Sequence, residues 1–336
     1  MTIKDIAKEC GVGVSTVSRV LNNRPDVSEE VRKKVLQTVA DNGYIPNNSA
    51  RDLVRSQMDA IGVIVRGMEN LFFADMIKTI SAEIDRRGYD MVLRFIGTDE
   101  DEVKAGAILE REKKLKGLLF LGGRFNYTST EMALIGVPYT LCSYTNSFGT
   151  LKTSEYSSVS IDDYATAYNA VQTLIDMGHR KISAFFDNCC DKSISELRLS
   201  GYKAALKDNG IPLEQNLITE LGGFEMSDAY KGMSALIKSG ADFTAAFVES
   251  DTLALAAMKA ACDCGRRVPE DISIIAIDGL EFSEYSTPTL TTLIQPGDKI
   301  ARESVRILFE MIECPGKTEH LRPEAVLRKG ASVCSI

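Results

Sequence analysis

The sequence predicts a mixed α/β protein, a three-helix module at the N-terminus followed by two doubly wound parallel sheets. Three observations carry this prediction. Apolar residues recur at helical spacing through residues 1–46, then give way from residue 58 to short apolar runs that alternate with amphipathic stretches. Ten such runs are more comfortable as two open sheets than as one very wide one. A chain of 336 residues also has room for about two domains and a small extra module.

The first expected helix places Ile3, Ile6 and Ala7 on one face. It opens with the capping-box spacing Thr2-Ile3-Lys4-Asp5 and is broken by Gly11. The second, roughly Val14 to Asn22, turns Val17, Val20 and Leu21 to one side. The third repeats Val31, Val35 and Val39 at i+4, with Ser28 as its cap and Glu29-Glu30 as first-turn acids. The turn from Gly11 to Val14 has helix-turn-helix spacing. After Pro46, residues 47–57 have only a thin apolar face. They read either as a linker or as a segment that folds when something holds it.

Strands are then expected at Ile61–Val65, Met91–Phe95, Leu118–Leu121, Tyr139–Cys142, Val159–Ile161, Ile182–Phe186, Leu217–Leu221, Ala245–Val248, Ile272–Ile277 and Thr291–Ile294. Helical stretches fall between most of them, as at Asp75–Arg87, Tyr164–Met177, Leu197–Asn209, Thr252–Cys264 and Ile300–Ile312. Such alternation means parallel sheets covered on both faces. The expected domains are 1–46, a linker at 47–57, one subdomain from 58–158 with 290–317, and a second from 159–289 with 318–336.

Composition narrows the function classes. No apolar run approaches the roughly 18 residues that cross a bilayer, and the first residues lack the apolar core of a secretory signal. A cytoplasmic protein is expected, with no membrane partner. Its eight cysteines, irregularly spaced, then stay reduced and serve mostly as packing residues. Residues 1–57 carry a net charge of +2 and the remainder −10. Any nucleic acid must therefore be met by the small N-terminal part, because the large part repels phosphate backbones.

The second helix has the residues for that task. Ser15 and Arg19 lie at i and i+4 with Val14 beside them, opposite the packing face. Arg19 can reach guanine or a phosphate, Ser15 a base edge, Val14 a thymine methyl and Thr16 a phosphate oxygen. On a generic helix these would be ordinary surface residues.

In the large part, chemically demanding residues cluster just beyond strand ends: Phe72-Phe73, Arg198, Phe224, Ser250-Asp251, Asp278 and Gln295. That is the ligand edge of open α/β sheets. An arginine and an aspartate among flat rings suit a small polar ligand with apolar faces. Taken singly, Phe72 or Phe224 is more often core, Arg198 a surface ion pair, Asp278 a turn residue, and Asp251 the cap of the helix that follows it. Together they favour a site.

Enzyme readings have little to stand on. The two histidines, His179 and His320, belong to no nucleophile motif, and no phosphate loop or dinucleotide fingerprint occurs. Cys189-Cys190 and Cys262-x-Cys264 lack the histidine partners and paired spacing of a metal site. No metal or organic cofactor is expected.

The run Ile3-Lys4-Asp5-Ile6-Ala7, then Val14-Ser15-Thr16-Val17-Ser18-Arg19-Val20-Leu21-Asn22, then Gly43-Tyr44-Ile45-Pro46-Asn47 with Ala50-Arg51-Asp52-Leu53, resembles the N-terminal module of LacI/GalR-type bacterial transcriptional regulators. The likeness continues through Gly178-His179-Arg180-Lys181-Ile182, Leu197-Arg198-Leu199-Ser200-Gly201-Tyr202 and Val268-Pro269-Glu270-Asp271-Ile272-Ser273, up to Asp278. It implies that Val14, Ser15, Thr16, Arg19 and Asn22 meet operator DNA. It also implies that 47–57 becomes a hinge helix, with Asn47 at a phosphate, Ala50 against the minor groove and Leu53 wedged between base steps. For the large part it implies a periplasmic-binding-protein-like architecture and an effector cleft formed by Phe72, Phe73, Arg198, Phe224, Ser250, Asp278 and Gln295. Gly13 stands where the family usually has a capping serine. Ser250 replaces the usual asparagine, and Gly279 follows Asp278 in place of an acid.

The resulting expectation is a homodimeric repressor that binds a pseudo-palindromic double-stranded operator and is controlled by a small effector, most simply a sugar. Two alternatives share the large part: a sugar-binding protein of periplasmic type with no DNA role, and an enzyme using the same cleft, for instance on a phosphorylated sugar.

Overall fold

The computed structural model describes residues 2–21, 26–42, 59–67, 70–97, 99–187 and 192–336. The chain divides into two compact units, Met1–Met58 and Asp59–Ile336.

The first unit holds helices α1 (Ile3–Cys10), α2 (Val14–Leu21) and α3 (Glu29–Asp41). The capping box forms as its spacing predicts. The Asp5 amide donates to Thr2 Oγ1, and the Thr2 amide donates to Asp5 Oδ2 at 2.8 Å. Gly11 ends α1 at φ 67°, a left-handed conformation that a side chain would strain. The Gly13 carbonyl accepts the amides of Thr16 and Val17, so α2 starts without a capping side chain. Ser28 occupies the cap position of α3, but its hydroxyl makes no capping bond; Glu29 and Glu30 complement the helix dipole instead. Ile6, Val17 and Val35, one from each helix, are fully buried against one another, with Val31 and Val39 packed at the margin.

The second unit contains two six-stranded sheets. The first has the order β11-β5-β4-β3-β1-β2, built from β1 (Ala60–Arg66), β2 (Asp90–Ile96), β3 (Gly117–Leu121), β4 (Tyr139–Cys142), β5 (Ser157–Val159) and β11 (His320–Leu321). All its pairings are parallel. The second has the order β12-β10-β9-β8-β6-β7, built from β6 (Ile182–Phe186), β7 (Ile218–Glu220), β8 (Ala245–Val248), β9 (Ser273–Asp278), β10 (Thr291–Ile294) and β12 (Val326–Arg328). Only its β10–β12 pair is antiparallel. The helices are α4 (Phe72–Arg86), α5 (Glu102–Lys113), α6 (Ser129–Met132), α7 (Asp163–Asp176), α8 (Ile194–Asp208), α9 (Met226–Lys238), α10 (Asp251–Asp263) and α11 (Gly297–Glu313). Continuous apolar strands such as β3 and β8 are buried along their whole length, as strands covered on both faces must be.

Two expectations need correction. β5 lies earlier than the apolar pattern suggested, because Ser157 and Ser158 are buried polar residues tied to β11: the Glu319 amide donates to Ser157 Oγ, and Ser158 Oγ bonds His320 Nδ1 at 2.8 Å. The partner strand is remote in sequence, so local pattern could not reveal it. The subdomain boundaries also shift. The expected first subdomain includes Thr291–Ile294, which pairs in the second sheet, and the expected second includes His320–Leu321, which pairs in the first. The chain therefore crosses between sheets after β5, after β10 and after β11. One buried apolar cluster spans both sheets, from Ile61 and Leu119 through Val159 and Ile161 to Ile182 and Phe247.

Candidate functional site

On α2 the division of faces is as expected. Val17 and Val20 are buried, while Val14, Ser15 and Arg19 are exposed and Thr16 is half-buried. Arg19 Nη1 lies 3.3 Å from Asp26 Oδ2, a pair in which both side chains are more than half exposed. Asn22, Asn47, Ala50 and Leu53 lie outside the described residues, as do Cys189 and Cys190.

The larger feature is a cleft of about 930 Å³ in the second unit. Phe72, Phe73, Arg198, Phe224, Asp278 and Gln295 all line it. The strand-edge rule therefore brings six of the seven expected residues together. They are reached from the C-terminal ends of strands in both sheets, where doubly wound folds leave their crevice. Phe72 and Phe73 are also buried in the apolar cluster that spans the sheets, so each ring belongs to the core as well as to the cleft lining.

Ser250 is the exception. It is buried and its hydroxyl accepts the Leu253 amide at 3.3 Å, capping α10. Asp251, expected as that cap, is instead the first helical residue. Its carboxylate accepts the Leu280 amide and the hydroxyls of Ser283 and Thr292, which anchors the loop after β9. Ser250 is 1% exposed and is not among the residues that line the cleft; the amide row of a helix start takes a lone pair of its oxygen.

Arg198 is the centre of the second-sheet wall. It is 2% exposed, and Nε and Nη2 donate to Asp163 Oδ1 at 3.0 and 2.9 Å. Nη1 donates to the Glu249 carbonyl. Burial works against its charge, but Asp163, Asp278 and Glu249 more than compensate and hold its pKa up. Asp278 is buried and its Oδ1 accepts from Gln295 Nε2 at 2.8 Å. Its backbone has φ 131°, a region that non-glycine residues rarely occupy, and such strain concentrates at ligand sites. Burial raises the Asp278 pKa to about 8; Arg198 opposes the shift and Asp251 adds to it. Burial likewise raises Glu249 to about 7. The carboxyl of Glu249 accepts from the Asp187 amide and from Ser195 Oγ, thereby tying the end of β6 to the start of α8.

The first-sheet wall is a second polar cluster. Arg66 Nη1 donates to the fully buried Glu102 at 3.0 Å, the Arg124 amide donates to the same carboxylate at 2.8 Å, and the Tyr127 hydroxyl also donates to it. Tyr127 and Tyr144 share a hydrogen bond of 3.2 Å between their hydroxyls, and the Arg124 guanidinium stacks 5.3 Å from the Tyr127 ring. Burial keeps both phenols protonated.

Sequence reasoning missed Asp163, Glu249, Arg66, Glu102 and Arg124. Arg66 ends β1, Glu249 directly follows β8, and Arg124 follows the Gly-Gly after β3, so the strand-edge rule was sufficient to find these three. Asp163 and Glu102 look like first-turn helix acids, and only the fold buries them. Among the described residues no group of three or more His, Cys, Asp or Glu side chains is arranged for a metal ion, and no helix is long and apolar enough to cross a membrane.

Residues 2–47 match the family described as bacterial regulatory proteins, lacI family, and residues 171–333 match the periplasmic binding protein-like domain. The HTH-type transcriptional regulator MalR of Clostridium butyricum is 42% identical over 327 residues, which covers 96% of this chain and 96% of that one. Among solved structures, a complex of the transcriptional regulator CelR with cellobiose superposes with a TM-score of 0.73 at 27% identity over 99% of both chains. A lac repressor dimer bound to operator and the anti-inducer ONPF gives 0.76 at 24% identity over 100% of this chain and 99% of that one, a likeness of fold.

Proposed function

Since the chain belongs to the LacI family of bacterial transcriptional regulators, we propose that it is a cytoplasmic, dimeric repressor whose grip on a pseudo-palindromic operator is set by a sugar in the cleft of its second unit. The observation that carries this reading is the coexistence in one chain of an exposed Val14-Ser15-Arg19 face and a cleft where Arg198, Asp278 and Gln295 meet aromatic rings. In the reader, Val14, Ser15, Thr16, Arg19 and Asn22 contact the major groove and its phosphates. Residues 47–57 pair with their twin, and Leu53 wedges into the minor groove beside Ala50 and Asn47. In the cleft, Phe72, Phe73 and Phe224 cover the apolar faces of a sugar whose hydroxyls meet Arg198, Asp278 and Gln295. Ser250 supports the site only by capping α10.

Three chain crossings join the sheets, so ligand closing the cleft rotates one sheet against the other. In a dimer that motion alters the spacing of the two hinge segments. DNA affinity then changes by the ligand's differential affinity for the two arrangements, and DNA changes ligand affinity by the same factor. The match of residues 2–47, together with a relative that is a regulator along its whole length, favours this reading over a periplasmic binding protein.

The test is a mobility-shift assay on a duplex selected by the protein from random sequence, with and without candidate sugars. Arg19→Ala is expected to weaken operator binding by about 1–3 kcal/mol, roughly fivefold to 150-fold, while sugar binding persists. Unaltered DNA binding in that variant removes the reader from α2.

A further inference from the structure

The charges on the cleft walls are closely matched. Around Arg198, Asp163 is in direct contact, and Glu249 and Asp278 are near enough to act on its charge. With Arg198 and Asp163 ionised, the corner carries between zero and two net negative charges, according to the protons on Glu249 and Asp278. While that pair is ionised the corner is never positive, although burial pushes the Asp163 pKa up against the pull of Arg198.

The first-sheet wall follows the same rule. Arg66 and Arg124 share Glu102, and Arg124 Nη2 also lies 3.5 Å from Glu131 and 3.8 Å from Asp101. With Lys104 beside Asp101 at 3.3 Å, three cations thus meet three acids and the cluster carries no net positive charge. Asp187 and Lys192, both on the cleft, are opposite in sign, and Asp99 and Glu225 add exposed negative charge. An anion entering here loses its hydration and finds each guanidinium already beside a carboxylate, although Arg124 Nε and Nη2 make no hydrogen bond of their own. An uncharged polyol meets no such barrier, because each hydroxyl can donate to a carboxylate and accept from a guanidinium.

Glu249 is the member of this arrangement that has no place on the wall. It is fully buried, its carboxyl is engaged by Asp187 and Ser195, and only its charge reaches the ligand. We propose that the cleft admits uncharged polyhydroxyl ligands and refuses anionic ones, sugar phosphates included, and that Glu249 enforces this selectivity from behind the wall. The proposal rests on the sugar reading above and names the class of sugar.

Isothermal titration calorimetry on the full chain at about pH 8 and low salt tests it, with cellobiose, maltose, glucose and ribose against glucose 6-phosphate and ribose 5-phosphate. At least one uncharged sugar is expected to bind and neither phosphate to compete with it. Glu249→Gln is expected to raise phosphate affinity relative to uncharged sugar about tenfold, the factor carried by one pK unit of interaction. Glu225→Gln, exposed at the rim, moves the ratio the same way by a smaller factor and tests the exclusion of anions by cleft charge if the buried variant fails to fold. A phosphate that binds more tightly than its parent sugar overturns the proposal and leaves the sugar reading intact. No binding by either class overturns both, and a ratio unmoved in the folded variants removes the charge mechanism.

Discussion

The exposed face of α2 and the walls of the cleft use the same residue types under opposite conditions. Arg19 meets Asp26 at 3.3 Å with both side chains more than half exposed, whereas Arg198 meets Asp163 at 2.9 Å with both almost fully buried. An exposed pair contributes about 0–1 kcal/mol and is easily exchanged for another partner. A buried one cannot be opened without stranding a charge. The first pair is therefore easily given up to a partner that supplies its own counter-charge, as the proposed contact with a phosphate backbone requires. The second is organised before its ligand arrives, and its charges belong to the fold as much as to the site.

The sharpest way to break that comparison is to delete each arginine and measure stability. Arg198→Ala leaves Asp163 buried without its cation and is expected to cost about 3–5 kcal/mol in urea unfolding, with loss of sugar binding. Arg19→Ala is expected to cost less than about 1 kcal/mol. Equal effects would mean that the two pairs are energetically alike.

A smaller effect sharpens the account of the cleft. Asp278 and Glu249 have folded pKa values of about 8 and about 7, above the ordinary carboxylate range near 4. Between those limits the folded protein holds protons that the unfolded chain has released. Their contribution to stability is thus complete below the ordinary range and is lost as pH rises through about 7 and about 8. Each group contributes at most about 1.4 kcal/mol per pH unit. Unfolding midpoints measured from pH 5 to 9 are expected to fall with rising pH, and Asp278→Asn is expected to flatten the upper part of the curve. An unchanged slope in that variant would assign the proton elsewhere.

The smallest effect separates capping from ligand contact. Ser250→Ala is expected to cost about 1 kcal/mol through the lost α10 cap and to leave sugar affinity within about twofold. A large drop in affinity with unchanged stability would return Ser250 to the ligand.

Much of this was legible in the chain. The helix-turn-helix unit depends on local periodicity and caps, and Thr2, Gly11 and the valine seam lie within a few residues of what they act on. The strand-edge rule located Phe72, Arg198, Asp278 and Gln295 because strand ends are themselves local features. Arg66, Glu249 and Arg124 stand at or just beyond strand ends of the same kind. What stayed hidden depended on distant partners: β5 needs β11, and the role of Ser250 depends on which oxygen the α10 start recruits.

By itself, then, the sequence determined the helical module, the alternation that makes two parallel sheets, and the residue types at the ligand edge. Each follows from short-range sterics and hydrophobic periodicity. Only the tertiary structure decided how charge is distributed in the cleft. Whether Asp163, Glu102 and Glu249 are solvated surface acids or buried partners of an arginine depends on which remote segments exclude water from them, and electrostatic strength is set by that exclusion.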